Sequence, residues 1–314
     1  MNSSNQTKKI TETAVIISIM VVFGLIGFFT FPIINVLYPI PAIVLGYRQD
    51  VKYSVLAVIA SGILIGILTN ILTGVFLLIG YGALGIVLAY MISKKYKPYK
   101  ILLAGTVTSL VSTLIVIYVI QIVTGVQFVE QLNNLFTESL DIQIKFMESM
   151  GLSNYELSTM KEMFNNTIKL ILTLVPTLII ITAVFTSYIC YWISLAVLKR
   201  MRYNVPSIPK FKNFRLPNNI IFGVAIIFLA TFMLKYINLV DYGTVFSNVV
   251  VLTFFIFFMQ GMAVISFFMD KVNMNRVIKV ILVVFVLLYS PLMILISLMG
   301  LTDSIFNLRK LGNV

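Results

Sequence analysis

The sequence predicts an all-α, polytopic membrane protein with about nine transmembrane helices. Of its 314 residues, 60% are hydrophobic and only 11% are charged, less than half the charged share of about 25% that is usual in soluble domains. The mean hydropathy of +1.02 points the same way. Several stretches without acidic or basic residues reach the length of about 20 apolar residues that a membrane-spanning helix needs. This composition excludes a water-soluble fold.

The charge-free runs locate the expected spans. They cover residues 13–31, 32–47, 53–93, 101–129, 170–198, 216–234, 242–269 and 280–302. The third run is long enough for two spans, and polar and small residues near Asn70 mark the break between them. The second run contains Pro32, Pro39 and Pro41 and would reach only about 24 Å as a helix. We therefore expect a short span there, either broken or re-entrant.

The distribution of basic residues predicts the orientation. With the N-terminus in the cytoplasm, the outside segments hold only six of the 23 Lys and Arg residues: Lys145, Lys161, Lys169, Lys235, Arg309 and Lys310. The positive-inside rule therefore predicts a multi-pass protein of the cell membrane with a cytoplasmic N-terminus. If residues 32–47 did not cross the bilayer, only Lys8 and Lys9 would change sides.

A polar connection at residues 125–169 is expected outside and amphipathic. Its apolar residues recur at helical spacing and form one face on each of two expected helices. The first face has Phe128, Leu132, Leu135, Phe136 and Leu140, and the second has Leu157, Met160, Met163 and Phe164. Ser153 and Glu156 have the spacing of a capping box, which predicts the start of the second helix. The two helices would either rest on the membrane surface or form a lid over an outward-facing cavity.

A second connection, residues 201–217, is basic and rich in proline. It separates a membrane domain, residues 1–200, from a three-span region, residues 218–314. We expect this cytoplasmic linker either to attract anionic lipid headgroups or to dock a partner protein. The candidate docking residues are Lys210, Phe211, Phe214 and Arg215. Nucleic-acid binding is not expected, because the basic residues follow the membrane topology.

The composition argues against an enzyme. The chain has no histidine, and the expected spans contain no acidic or basic residue, so imidazole chemistry and proton relays through buried carboxylates are not expected. No metal or cofactor is predicted. The single cysteine, Cys190, lies in an apolar run and is expected to be a core residue.

Neutral polar residues are the remaining candidates for binding a solute. Asn70 and Thr73 lie at the break in the longest run, and Gln121 lies near the outer end of its span. Their amide and hydroxyl groups would suit a small neutral molecule. Tyr38 belongs to the segment from Pro32 to Pro41, which would roof an outer cavity. These four residues are the predicted solute-binding set.

Several short motifs resemble those of the YybS-like bacterial membrane proteins. They are Thr11-Glu12-Thr13-Ala14, Pro39-Ile40-Pro41 with Gly46-Tyr47-Arg48, Pro206-x-x-Pro209-x-Phe211-x-x-Phe214-Arg215-Leu216-Pro217, Phe258-Met259-Gln260-Gly261 and Phe306-Asn307-Leu308-Arg309-Lys310-Leu311. The likeness runs through most of the chain. That family has no established biochemical function. Its N-terminal portion is similar to the S-components of energy-coupling-factor vitamin transporters, six-helix membrane proteins with an outward-facing pocket.

The resemblance implies an S-component-like first part and a function in solute recognition or uptake, without hydrolysis by this chain. S-components dock their transmembrane partner through Ala-x-x-x-Ala on the first helix, and Ala14-x-x-x-Ser18 stands at that place here. The expected partners are the lipid bilayer and transporter or other membrane subunits. The spans after residue 216 depart from the six-helix pattern. The alternative function is a membrane scaffold or regulatory subunit that recruits a partner through its cytoplasmic linker.

Overall fold

The computed structural model describes residues 3–206, 208–236 and 241–311, and within these ranges it is helical without a β-strand. The α-helices are α1 Ser3–Phe29, α2 Pro39–Arg48, α3 Val51–Leu68, α4 Ile71–Val75, α5 Ala83–Ser93, α6 Pro98–Thr124, α7 Phe128–Ser149, α8 Asn154–Thr173, α9 Val175–Arg200, α10 Ile220–Leu234, α11 Tyr242–Lys271, α12 Arg276–Leu288 and α13 Ser290–Phe306. A π-helical stretch, Phe76–Gly82, joins α4 to α5. The predicted all-α, polytopic membrane class is confirmed.

The predicted number of about nine spans is approximate. Among the described residues, six helices are long and apolar enough to cross a membrane, and α12 with α13 makes a seventh if the bent pair is one span. The other two predicted segments are short, because α10 has 15 residues and α2 has 10. At 1.5 Å per residue these helices reach only about 22 and 15 Å.

The proline-rich second segment runs back along α1. A 3₁₀ turn, Pro32–Leu37, precedes α2, and Pro39 lies in the first helical turn, where no amide hydrogen is needed. Asn35 lies against Gly27, near the end of α1, since a Cβ on that glycine would come within 1.9 Å of the Asn35 side-chain oxygen. Arg48 forms an ion pair with Glu12, near the start of α1. The segment therefore runs back beside α1 from Gly27 to Glu12, a distance of about 22 Å at 1.5 Å per residue, and whether it crosses the bilayer stays a prediction.

Two compact units divide the chain, and the first comprises Met1–Leu172 and Leu178–Ile208. Its candidate membrane spans are α1, α3, α4 with α5, α6 and α9, and it also contains α2 with its 3₁₀ turn. The short α2 lies at the centre, because Ile43 belongs to one buried cluster with Leu88 and Tyr191 and Leu45 to another with Met20. The division at Ile208 falls within the predicted linker, residues 201–217.

Helices α7 and α8 form where the amphipathic pattern predicts them. The Ser153 amide donates to the Glu156 carboxylate at 2.8 Å, and the Glu156 amide donates to the Ser153 hydroxyl at 3.4 Å. The predicted capping box is confirmed, and its hydrogen bonds lower the pKa of Glu156. The predicted faces were partly wrong, because Leu135 and Met163 are exposed while Leu140 and Leu157 are buried. The buried stripe is narrower than the predicted faces.

The second unit, Thr173–Thr177 and Pro209–Val314, contains α10 to α13. The run 280–302, predicted as one span, is instead two helices bent by 105°. Pro291 accounts for the break, since a proline lacks the amide that would bond the carbonyl four residues earlier. Helices α11 and α13 pack closely where Gly261 faces Ile296 and Gly300 faces Phe257.

The bend places Arg309 beside the basic linker, which the sequence did not predict. The Arg309 guanidinium donates to the backbone oxygens of Lys212 and Phe214 at 2.6 and 2.8 Å. Arg309 and its neighbour Lys310 therefore lie on the same side of the membrane as the basic linker. The prediction that these two residues and the linker lie on opposite sides was wrong, because the bent pair brings the chain back to the linker backbone.

Thiol labelling tests this correction. In a Cys190→Ala background, we expect a membrane-impermeant reagent to label Lys210→Cys and Lys310→Cys from one side and Glu138→Cys from the other. The three positions are exposed, so the side of the membrane alone decides the reaction. Labelling of Lys310→Cys together with Glu138→Cys would contradict the bent-pair topology.

Candidate functional site

The four predicted solute-binding residues occupy three different settings in the first unit. Tyr38 is fully buried, and its hydroxyl lies 2.8 Å from the Ser61 hydroxyl on α3, which makes it part of the core. Asn70 caps α4, accepting from the Thr73 amide at 2.8 Å and the Thr73 hydroxyl at 3.0 Å. Gln121 is exposed in the last turn of α6. The structure brings Asn70 and Thr73 together, and solute binding by the set stays a prediction.

Ala14 and Ser18 lie on an exposed face of α1. The Ser18 hydroxyl donates to the Ala14 carbonyl at 3.1 Å, so the serine adds little polarity to this face. Exposure leaves both residues accessible to a membrane partner, as the docking hypothesis requires. Docking itself stays a prediction.

The exposure of this face gives a clear expectation for stability. Replacing both Ala14 and Ser18 by leucine is expected to change the melting temperature in detergent by little, because surface changes of this kind usually cost less than 0.5 kcal/mol each. The matched control is Gly24→Leu on the buried face of α1, where an added Cβ would lie 2.5 Å from Ile65. Equal losses of stability in the two variants would mean that Ala14 and Ser18 are packed.

In the second unit, residues 210–215 form a basic, aromatic turn on the surface. Phe211–Asn213 is a single 3₁₀ turn, and it exposes 37% of Phe211 and 39% of Phe214. The two rings stack with centroids 6.2 Å apart and planes inclined by 13°. Lys210 beside them is also exposed. The predicted docking residues therefore present two ordered phenyl rings and a cation.

A buried ion pair lies beneath this turn. Asp303 and Arg309 are 1% and 5% exposed, and the Arg309 Nη2 atom lies 2.8 Å from the Asp303 Oδ2 atom. The same carboxylate oxygen accepts from the Gln260 amide at 2.6 Å. Such a pair is stable away from water only when hydrogen bonds satisfy its remaining donors and acceptors.

The ion pair uses its remaining donors to hold the turn. Arg309 donates to the carbonyls of Lys212 and Phe214, as described above, and the Gln260 side-chain oxygen accepts from the Leu216 amide at 3.1 Å. Arg215 reaches in the opposite direction and donates to the Leu311 carbonyl at 2.8 Å. The backbone of the turn is therefore fixed by the end of α13 and the residues that follow it.

Gln260, Asp303 and Arg309 were missed by the sequence-based prediction of the site. Asp303 is the first charged residue after the last apolar run, a position that is typical of a residue at the membrane interface. The only signal was the presence of Gln260 and Arg309 in two of the quoted family motifs. Neither motif indicates that the two residues meet at one carboxylate.

The remaining carboxylate near the turn is also neutralised. Asp270, near the end of α11, pairs with Lys212 at 2.9 Å and with Lys279. Lys279 lies in the first turns of α12, so this ion-pair group connects α11, α12 and the basic turn. Asp270 and Asp303, the two carboxylates beside the turn in the described part of this unit, are thus already bonded to cations of the same unit.

Comparison with known proteins identifies the family. A family model described as predicted membrane protein, DUF2232, matches residues 13–304. The chain belongs to this family. It is 22% identical over 313 residues to the uncharacterized protein YybS of Bacillus subtilis (strain 168), covering 97% of this chain and 98% of that protein. The predicted YybS-like family is confirmed, and no solved structure matches.

Proposed function

We propose that this protein is a non-enzymatic membrane subunit that recruits a partner protein at the cytoplasmic side through residues 210–215, named here the docking turn. One observation carries the proposal: two exposed, stacked phenyl rings sit on a turn that a buried ion pair holds in a fixed shape. Exposed aromatic side chains on a rigid backbone are typical of binding anchors, because little conformational entropy is lost on binding.

The cytoplasmic location of the docking turn is part of the proposal. With Arg309 and Lys310 on the side of the linker, the opposite side keeps only Lys145, Lys161, Lys169 and Lys235 of the 23 basic residues. The positive-inside rule favours a cytoplasmic linker and N-terminus even more strongly on this count.

Photo-crosslinking in living cells tests the proposal. A photoreactive amino acid at Asn213, between the two rings, is expected to form an adduct with a partner protein. The double variant Phe211→Ala with Phe214→Ala should abolish that adduct, and Phe222→Ala, which removes an exposed ring from α10, should leave it unchanged. An absent adduct, or one that persists in the double variant, would contradict the proposal.

Solute recognition by the first unit is the second candidate. It is favoured by the hydroxyls of Ser54, Tyr191 and Ser194, which are buried without a hydrogen-bond partner among the described residues. An unsatisfied buried hydroxyl costs about 1–3 kcal/mol, so a neutral polar molecule or an internal water bonded to one of these hydroxyls would stabilise the first unit. Mass spectrometry of the purified protein is expected to detect a small molecule that Tyr191→Phe loses. Identical small-molecule contents in both proteins would argue against solute recognition.

A further inference from the structure

The surface around the docking turn includes residues beyond the linker. Because Arg309 bonds to the backbone of Lys212 and Phe214, its chain neighbours Leu308 and Lys310 lie beside the turn. Leu308 is 46% exposed, and Lys310 is exposed as well. We name the set Lys210, Phe211, Phe214, Leu308 and Lys310 the composite surface.

The charge around the composite surface is strongly positive. The carboxylates of Asp270 and Asp303 are both bonded to cations within the described part of the second unit. Among the described residues of this unit, four exposed cations on this side form no ion pair, namely Lys210, Lys271, Arg276 and Lys310. A partner with acidic groups would be attracted to this surface and oriented by it.

From this charge pattern we infer that the partner presents an acidic protein segment, whose apolar side chains contact Phe211, Phe214 and Leu308 while its carboxylates pair with Lys210 and Lys310. The inference rests on the proposed function and names the chemistry of the partner. Residues 308 and 310 are part of the binding surface, and Arg309 is the positioning residue that holds them against the turn.

The fixed shape of the surface favours a protein over the lipid headgroups as its occupant. Attraction to anionic lipids depends on the number of nearby cations and needs no fixed spacing between side chains. Here the backbone of the turn is bonded to Arg309 and Gln260 at specific atoms. A turn whose backbone is fixed and whose two rings stack on each other suits a partner that also has a defined shape.

A peptide titration tests the inference in the full-length chain. The protein is placed in phosphatidylcholine nanodiscs with an environment-sensitive dye at Asn213→Cys, in the Cys190→Ala background. A short synthetic peptide of alternating Glu and Leu is expected to change the dye signal saturably, and a matched Lys and Leu peptide is not. Lys210→Glu and Lys310→Glu should each weaken the acidic peptide, together by roughly tenfold or more. The control pair Lys145→Glu and Lys161→Glu, between α6 and α9, should have no effect.

Three results would overturn the inference. The first is a dye response to phosphatidylglycerol vesicles but not to the acidic peptide, which would identify a lipid surface. The second is unchanged peptide binding in Lys310→Glu, which would exclude the residues after α13. The third is an adduct at Asn213 in cells whose partner segment is basic or neutral. In that case the proposed function stands and only the acidic partner fails, whereas the absence of any protein adduct refutes the proposed function itself.

Discussion

Replacing Arg309 by alanine is expected to lower the free energy of local unfolding around the docking turn by about 3–5 kcal/mol, the cost of removing one partner of a buried ion pair. The Asp303 carboxylate would remain buried with the Gln260 amide as its remaining side-chain donor, and two backbone carbonyls would lose their donor. Hydrogen exchange of peptides covering residues 210–216 and 303–311 measures this change directly.

Two controls separate a lost ion pair from a general loss of packing. Lys310→Ala, next in the chain and exposed, is expected to change local stability by no more than about 0.5 kcal/mol. The double variant Asp303→Leu with Arg309→Met should be milder than Arg309→Ala, because it leaves no unpaired charge in the interior. A cost below about 1 kcal/mol for Arg309→Ala would mean that water reaches the pair.

The helices could be predicted from the sequence because a membrane protein has few alternatives to helical structure. A lipid environment requires every backbone group to be satisfied within the segment, so a long charge-free run is almost always helical. The second proline-rich run was also correctly expected to be short. The central position of this segment in the first unit was not predicted, because hydropathy does not distinguish a helix that faces lipid from one that faces other helices.

Contacts between distant residues set the limit of the sequence-based prediction of the site. The exposed rings of Phe211 and Phe214 were predicted as docking residues from composition alone. The ion pair that holds these rings in place was not predicted. It depends on Asn307, which adopts a left-handed φ of 49° and turns the chain so that Arg309 points back towards Asp303. The prediction of a single helix over residues 280–302 was wrong for a related reason. A proline such as Pro291 can either bend a membrane helix or break it, and the sequence does not indicate which.

Alanine at Gly300 or Gly261 is expected to destabilise the second unit by about 1–3 kcal/mol each, the usual cost of overpacking a close contact. A Cβ on Gly300 would lie 1.9 Å from the Phe257 carbonyl oxygen, and a Cβ on Gly261 would lie 1.9 Å from the Ile296 carbonyl oxygen. These are backbone atoms of helices, which cannot rotate away as a side chain can. Helices α11 and α13 would have to separate, and the melting temperature should fall.

The matched control is Gly223→Ala on α10, where a Cβ would meet nothing within 4 Å. We expect this variant to be as stable as the parent or more stable by about 0.5–1 kcal/mol, because alanine has the higher helix propensity. The double variant Gly261→Ala with Gly300→Ala should cost less than the two single changes together, since helices separated by one methyl group already admit the second. A Gly300→Ala protein that melts like Gly223→Ala would refute the close crossing of α11 and α13, and with it the position of Asp303 beside Gln260.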